Sequence, residues 1–297
     1  MTMRRRFLPL IYMIPLATLL VRVVWLARFP GDPLAPVDAE GYHLLACNLL
    51  AGRGFSMVKD PPFCPASVRV PLYPLFLAGT YGVLGTEPGR AVLVQLLLEV
   101  VTAALVMRLA REVAGGRIAL LAGLFYAFNG TTQRYVGVLY SEIFLLPLIV
   151  VALWASARAL KITRPCAALA AGGLWGLAIL TKPNVQYLAL AVGGLVFMRF
   201  LFVHESRRRA IAAGLAFFGI LALVLAPWVV RNRLVFDRWM VSTAFEENLA
   251  RVSAPATLAE ARKLRVAPWT PTWEALYGEL LAEASARYDW DARGEYE

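Results

Sequence analysis

The chain has 297 residues, of which 59% are hydrophobic and only 17% are charged, and its mean hydropathy is +0.61. Soluble domains carry roughly 25% charged residues, so this composition excludes an ordinary soluble domain and indicates a polytopic membrane protein. The formal net charge of +10 lies in short basic clusters between apolar runs, a pattern that signals membrane topology, so we expect membrane lipids and no nucleic acid as partners. Two histidines and three cysteines are too few and too scattered to predict a structural zinc site.

The first apolar segment follows a basic N-terminus at residues 4–6 and extends from Phe7 to Ala27. A signal peptide would have a shorter apolar region and a small-residue cleavage site, so we interpret the segment as an uncleaved first span. Its preceding arginines place the N-terminus in the cytoplasm. Arg22 lies within the segment, and we expect its side chain to extend outward to the membrane surface.

The first polar stretch after this span, residues 36–56, is the first place where the chain can carry chemistry at a membrane face. Helical spacing of Tyr42, Leu45 and Leu49 predicts an amphipathic helix in the interface, which glycines at 52 and 54 should end. Asp38 stands at its N-terminal end and has two open interpretations, a functional carboxylate or simply an N-cap. Cys47 and Cys64 either pair as a disulfide on an oxidising face or remain two buried thiols.

Seven further apolar runs follow, and the number of spans depends on the first of them, Val70–Thr86, whose prolines and glycines suit an interfacial segment better than a helix interior. The others are Ala91–Met107, Ile118–Thr132, Ile143–Ala157, Pro165–Thr181, Val185–Val203 and Ala210–Val230.

The basic residues decide between seven and eight spans. If Val70–Thr86 does not cross, four regions fall on the cytoplasmic side and carry 13 Lys and Arg, namely residues 4–6, 108–117, 158–164 and 199–209. The short loops opposite then carry only Arg134 and Lys182. Because cytoplasmic loops are enriched in Lys and Arg, we predict seven spans and one long outer loop, Arg28–Arg90.

This arrangement places two carboxylates and three cations on the non-cytoplasmic face: Asp38, Glu142, Arg69, Lys182 and Arg231. Within the spans, Glu99 shares a helical face with Gln95 and Thr102. An intramembrane acid is a functional hypothesis by default, but a hydrogen bond between helices is the alternative that we favour. Gly172 and Gly176 form a small-xxx-small pair typical of helix packing.

Residues 232–297 are no longer membrane-like, and the sequence from Trp269 to Trp290 has helical amphipathicity. We therefore predict a membrane module at residues 1–231 and a non-cytoplasmic loop or tail at 232–297.

The ordered set of motifs resembles the N-terminal module of GT-C glycosyltransferases. It comprises VDAEGYHLLACNLLAGRGFS, RVPLYPLFLAGTYGVLG, YSEIF, GLAILTKP and APWVVRN. The most similar subgroup is the bacterial branch related to dolichyl-phosphate-mannose protein mannosyltransferases and lipid A aminoarabinose transferases. The resemblance covers residues 1 to about 250, and it implies an all-α membrane fold in the bacterial cytoplasmic membrane. Family members continue with more spans after the large outer loop, so the end at Glu297 predicts a fragment, a chain that works with a partner, or an inactive one.

The resemblance implies a sugar donor linked by phosphate to a polyprenyl lipid, and a lipid, glycan or protein acceptor. Asp38 corresponds to the family's catalytic base, Glu142 to its second acid, and Lys182, Arg69 and Arg231 to the residues that face the lipid phosphate. Tyr42, one helical turn after Asp38, is a further candidate for substrate binding. No metal or other cofactor is indicated, although a divalent cation beside Glu142 is compatible with the resemblance.

Two other classes of function stay open from the sequence. A transporter or lipid flippase would need charged groups near the membrane midplane, where Glu99 is the one candidate. A non-catalytic membrane subunit would fit the early C-terminus.

Overall fold

The computed structural model describes residues 8–35, 37–162, 165–203, 207–262, 264 and 270–288. Within those ranges all the regular structure is helical, as predicted. The helices are α1 (Leu8–Arg28), α2 (Val37–Leu50), α3 (Leu72–Leu84), α4 (Pro88–Ala114), α5 (Gly116–Ala127), α6 (Gly130–Tyr135), α7 (Ser141–Ile162), α8 (Pro165–Ile179), α9 (Gln186–Val203), α10 (Arg207–Phe236), α11 (Ala244–Asn248), α12 (Ala254–Ala261) and α13 (Pro271–Tyr288). A single 3₁₀ turn, Pro183–Val185, precedes α9, and a π-helical turn, Leu249–Ser253, joins α11 to α12.

The protein is a polytopic integral membrane protein. Four stretches of the described chain are each long and apolar enough to cross a bilayer: Pro88–Ala114, Ser141–Lys161, Pro183–Phe202 and Arg207–Phe236. Three shorter apolar helices accompany them, α3, α5 and α8. The 13 residues of α3 measure about 20 Å along the axis, well short of the roughly 30 Å hydrocarbon core. The same limit applies to α5, so the count of seven spans stays a prediction.

One predicted span, Ile118–Thr132, is divided in the structure. Helix α5 ends at Ala127, and the short helix α6 begins at Gly130. Asn129 is the N-cap of α6, and its side-chain oxygen accepts hydrogen bonds from the backbone N–H groups of Thr131 and Thr132 at 3.1 Å. An Asn at this position is among the strongest helix-start signals, and it interrupts the apolar run here.

The C-terminal half of the bundle packs through small residues, as the Gly172 and Gly176 pair predicts. A Cβ added at Gly172 would lie 2.1 Å from the Phe217 carbonyl oxygen, so α8 and α10 are in direct backbone contact. Trp175 is fully buried in the core that these helices form with α7 and α9. Its indole N–H donates to Ser156 on α7 at 3.0 Å, which satisfies the polar group inside the core.

Arg22 does not extend outward, so that prediction is wrong. Its side chain is fully buried, and its Nε donates to the Glu99 carboxylate of α4 at 2.7 Å. Glu99 also accepts from the Tyr126 hydroxyl of α5 at 2.7 Å. A buried charge is tolerated only when it is paired and hydrogen-bonded, and Arg22 and Glu99 are counter-ions for each other. The pairing supports the structural interpretation of Glu99.

The segment after α1 forms the helix that the sequence predicts. Helix α2 buries Tyr42 and Leu45, and it ends before Gly52 and Gly54, which adopt φ values of +70° and +84° that other residues rarely tolerate. Cys47 and Cys64 are both free, so the disulfide alternative is not realised.

Candidate functional site

Four segments that are far apart in sequence meet at one place beside α2. Leu139 donates its backbone N–H to the Pro33 carbonyl at 3.1 Å, which joins the segment before α7 to the segment before α2. Leu72 donates to the Leu180 carbonyl at 2.9 Å, which joins the start of α3 to the turn after α8. These two backbone bonds bring four of the predicted site residues together: Asp38, Arg69, Glu142 and Lys182.

Asp38 forms an ion pair with Arg69. Helix α2 begins at Val37, so Asp38 lies in the first turn rather than at the N-cap position, and its Oδ1 accepts from Nη2 of Arg69. The carboxylate is 51% exposed, whereas the Arg69 side chain is 22% exposed. Arg69 also lies over the ring of Tyr42, with 5.2 Å between its Cζ and the ring centroid. This contact holds the guanidinium in place independently of the carboxylate.

The Nε–H of Arg69 is a buried donor without a hydrogen-bond partner in the structure. Burial acts to lower the pKa of this guanidinium, but the neighbouring Tyr42, Asp38 and Glu247 raise the pKa by more, so Arg69 stays charged. A buried unsatisfied donor on a charged group carries a desolvation cost.

Glu142 forms the second ion pair, with Lys182. The distance between Lys182 Nζ and Glu142 Oε1 is 2.5 Å, and both side chains are partly exposed. Glu142 lies in the first turn of α7, where the helix dipole favours a carboxylate. Lys182 occupies the turn between α8 and the 3₁₀ turn, as the TKP sequence predicts.

A hydroxyl bridge connects the two ion pairs. The Tyr42 hydroxyl donates to Ser141 Oγ at 3.3 Å, and Ser141 Oγ in turn donates to Glu142 Oε2 at 3.3 Å. Burial raises the pKa of Tyr42, and although Arg69 opposes this effect the pKa remains above its ordinary value. Tyr42 is therefore a neutral hydrogen-bond donor, not a base.

Arg231, the last of the six predicted site residues, has its contacts elsewhere. Its Nη1 donates to the Ala66 carbonyl and to Asn232 Oδ1, both at 2.9 Å. Its guanidinium lies near the rings of Phe55, Trp228 and Phe236, at 4.9 to 5.6 Å from their centroids. In this position Arg231 anchors the loop between α2 and α3 to α10, and substrate binding by Arg231 stays a prediction.

The sequence does not single out three further residues of the site, Ser141, Tyr140 and Glu247. Burial raises the pKa of the Tyr140 phenol, with further contributions from Asp38 and then Glu142, so this phenol lies within the field of both acids. Glu247, on α11, is a neighbouring negative charge that raises the pKa of Arg69. The signal for Tyr140 was present, since it directly precedes Ser141 and Glu142 in YSEIF. Glu247 had no such signal, because only tertiary contacts bring α11 to this place.

The segment before α11 is attached to the segment that carries Arg69. Ser242 Oγ donates to the Val68 carbonyl at 2.5 Å, and the Thr243 backbone N–H donates to the Ser67 carbonyl at 3.3 Å. A hydrogen bond of 3.0 Å between the Ser67 and Thr243 hydroxyls adds a third contact. The chain beyond α10 therefore contributes to the site.

The C-terminal ends of α4 and α7, away from the site, carry a basic cluster. The Trp154 indole N–H donates to Glu112 at 2.6 Å, and Arg158 and Lys161 lie 3.9 and 3.8 Å from the same carboxylate. Arg108 lies over the Trp154 ring at 4.6 Å. Sixteen residues of α7 separate Glu142 from Arg158, about 24 Å along the helix, so the site and this cluster are nearly one hydrocarbon thickness apart.

No group of three or more His, Cys, Asp or Glu side chains within the described ranges is arranged to hold a metal ion. Both acids of the site have a cationic side chain as their partner, so each charge is balanced by the protein itself.

A helical bundle with membrane-spanning helices and with paired acids and cations at one place is compatible with a membrane glycosyltransferase. The family model described as dolichyl-phosphate-mannose-protein mannosyltransferase matches residues 65–230, more than half of the chain, and the protein belongs to this family. It is a membrane glycosyltransferase of the GT-C type, and the family implies a lipid-linked sugar donor. The match includes Arg69, Glu142 and Lys182 and begins after Asp38 and Tyr42. A comparison with individual curated proteins gave no match.

Proposed function

We propose that the protein transfers a sugar from a polyprenyl-phosphate donor to a hydroxyl group of an acceptor, with inversion at the anomeric carbon. The observation that carries this proposal is the pair of linked ion pairs, Asp38–Arg69 and Glu142–Lys182, joined by the Tyr42–Ser141 hydrogen bond. One site thus contains a half-exposed carboxylate, which can accept a proton, and two cations, which can bind a phosphate.

In the proposed reaction the acceptor oxygen attacks the anomeric carbon, and the bond from that carbon to the phosphate oxygen breaks. Asp38 accepts the proton from the acceptor hydroxyl, because it is the more exposed of the two acids. The bonding electrons leave with the phosphate, so negative charge grows on the polyprenyl phosphate as the sugar departs. The transition state resembles an oxocarbenium ion between an entering and a leaving oxygen.

Arg69 and Lys182 stabilise the departing phosphate. The Arg69 side chain is 22% exposed, so its guanidinium can contact the phosphate while its Nη2 group binds Asp38. Lys182 adds a compact charge from the other ion pair. Charged donors aimed at developing negative charge are among the strongest contributions to catalysis. Glu142 orients the acceptor through Ser141 and fixes the position of Lys182.

We place this site on the non-cytoplasmic face. The support is the separation of the site from the Arg108, Arg158 and Lys161 cluster by most of the length of α7. Basic clusters favour the cytoplasmic side, so the site belongs at the opposite surface. In the same arrangement residues 1–231 form the membrane module, and residues 232–297 form an outer segment that reaches the site through α11.

A non-catalytic subunit is the main alternative to this proposal. The transporter hypothesis depended on Glu99. In the structure Glu99 forms a buried ion pair with Arg22 and accepts a hydrogen bond from Tyr126. This buried pairing does not favour the binding of a moving ion or substrate by Glu99.

The test is Asp38→Asn in the full chain, assayed with a polyprenyl-phosphate mannose as donor probe and membranes of the source cell as acceptor. Asn keeps the volume and can still accept a hydrogen bond from Arg69, so folding and donor binding should persist. Transfer should fall about a hundredfold, which is typical for the loss of a positioned base.

The matched control is Glu40→Gln, which removes an exposed carboxylate two residues further along the same helix. Two residues correspond to about 200° around an α-helix, so Glu40 faces away from Asp38 and its loss should leave transfer unchanged. Full activity of Asp38→Asn would exclude Asp38 as the base and make Glu142 the next candidate. A wild-type chain that binds polyprenyl phosphate but never transfers sugar would favour the non-catalytic subunit.

A further inference from the structure

Gln95 is a buried polar residue that the proposed chemistry does not use. It lies on α4, has no exposed surface, and makes three hydrogen bonds. Its Oε1 accepts from the Tyr73 hydroxyl at 2.7 Å. Its Nε2 donates to the carbonyls of Val136 at 3.2 Å and Val138 at 2.9 Å. The amide therefore links α3, through Tyr73, to the segment that precedes α7.

These contacts are part of a closed ring of contacts beside the site. Tyr73 packs edge-on against Tyr42, with 4.9 Å between the ring centroids, and the Tyr42 hydroxyl donates to Ser141. From Ser141 the backbone leads back over three residues to Val138, whose carbonyl is bound by Gln95. Tyr42, on one side of this ring of contacts, carries Arg69 on its aromatic face. Ser141, on the other side, is followed directly in sequence by Glu142.

The segment between α5 and α7 is also fixed nearer its start, by Arg22 and Glu99. Glu99 lies one turn after Gln95 on α4. Arg22 donates to the Ala127 carbonyl at 2.7 Å and to Thr132 Oγ1 at 2.6 Å, while Glu99 holds the Arg22 side chain. The connection from α5 to α7 is thus attached to α4 at two levels. Interiors that are hydrogen-bonded and close-packed in this way have few alternative arrangements, so displacing either attachment should move the start of α7.

We infer that Gln95 is a positioning residue that sets the separation between the Asp38–Arg69 pair and the Glu142–Lys182 pair. The inference rests on the proposed function, in which Arg69 and Lys182 must contact one phosphate while Asp38 faces the acceptor. Such a reaction is sensitive to displacements of about 1 Å at the reacting groups. A purely structural Gln95 would instead contribute stability without affecting the distance between the two pairs.

The experiment measures that distance directly. Spin labels are placed at two exposed positions, Glu40 near the first pair and Tyr187 near the second, in a chain whose three native cysteines are replaced. The distance distribution is recorded by pulsed electron paramagnetic resonance for the parent chain and for Gln95→Met, which keeps the volume and loses the three hydrogen bonds. We expect one narrow distribution in the parent chain and a broadened or displaced one in Gln95→Met.

The matched control is Ser156→Ala, which removes a buried hydrogen-bond partner of Trp175 in the other half of the bundle. This variant should lower the melting temperature and leave the distance distribution unchanged. Tyr73→Phe provides a milder second variant, because it removes one bond of Gln95 by the loss of a single atom. It keeps the test decisive if Gln95→Met fails to fold.

Transfer from the polyprenyl-phosphate mannose probe is measured in parallel, without labels. We expect Gln95→Met to reduce turnover about tenfold or more and Ser156→Ala to retain it. An unchanged distance distribution in Gln95→Met and Tyr73→Phe would overturn the inference, as would a broadened one with full turnover. A wild-type chain without transfer would contradict the proposed function, whereas the distances would still decide whether Gln95 sets the separation.

Discussion

Lys182 and Glu142 are 40 residues apart in sequence, yet Lys182 Nζ lies 2.5 Å from Glu142 Oε1. The turn after α8 and the first turn of α7 meet at this point, and Leu180, two residues before Lys182, is bound by the backbone of Leu72 at the start of α3. The lysine is therefore part of the site and does not simply extend from a helix end into water.

Lys182→Ala should weaken the binding of polyprenyl phosphate about tenfold or more, because a hydrogen bond to a charged group contributes roughly 1.5–3 kcal/mol. The variant also leaves Glu142 without its counter-charge, which adds repulsion toward a phosphate. The measurement is a titration of the detergent-solubilised chain with polyprenyl phosphate. Lys161→Ala, at the far end of α7, is the control and should bind as the wild type does. Equal affinity of wild type and Lys182→Ala would remove Lys182 from the phosphate site.

The sequence was a good guide to which residues reach this face and a poor guide to their partners. Glu142 and Lys182 could be placed because each stands at the end of an apolar run, where membrane thickness leaves few choices. The Tyr42–Ser141 hydrogen bond could not be predicted, because it depends on how α2 is rotated against α7. Arg22 was assigned to the surface for a similar reason. Its partner Glu99 lies 77 residues away, and hydropathy does not show which helix faces which.

Arg22→Met should be strongly destabilising, by about 3–5 kcal/mol, because it leaves Glu99 as an unpaired buried charge. The double variant Arg22→Met with Glu99→Leu should recover most of that loss, because replacing both partners by apolar residues is often nearly neutral. Thermal unfolding in detergent of the wild type, both single variants and the double variant measures the coupling. Additive losses in the double variant would show that the two side chains do not interact as a pair.

His43 should make stability depend on pH. Its Nδ1 lies 2.8 Å from the Tyr81 hydroxyl, and burial lowers the pKa of the imidazole below its ordinary value of 6.5, although Glu40 opposes the shift. Because the folded state disfavours the protonated form, this contribution to stability is complete above the ordinary pKa and is lost as the pH falls below it.

The melting temperature of the wild type should therefore fall more between about pH 7.5 and 5.5 than that of His43→Gln, which cannot take up the proton. Identical pH profiles for wild type and His43→Gln would show that His43 does not contribute to the pH dependence.

The sidedness of the chain decides whether Asp38, Glu142 and Lys182 lie outside the cytoplasm. A cysteine introduced as Ala256→Cys on α12 should react with a membrane-impermeant maleimide in intact cells, because this position is exposed and belongs to the segment that follows α10. A cysteine introduced as Arg208→Cys at the start of α10 should react only after permeabilisation, since residues 199–209 carry four of the cations that favour the cytoplasm.

Both variants need a background without the three native cysteines, of which Cys166 is exposed. Helix α10 is one of the four stretches long and apolar enough to span the membrane, so its two ends should lie on opposite sides. Labelling of Arg208→Cys but not of Ala256→Cys in intact cells would invert the chain and place Asp38, Glu142 and Lys182 in the cytoplasm.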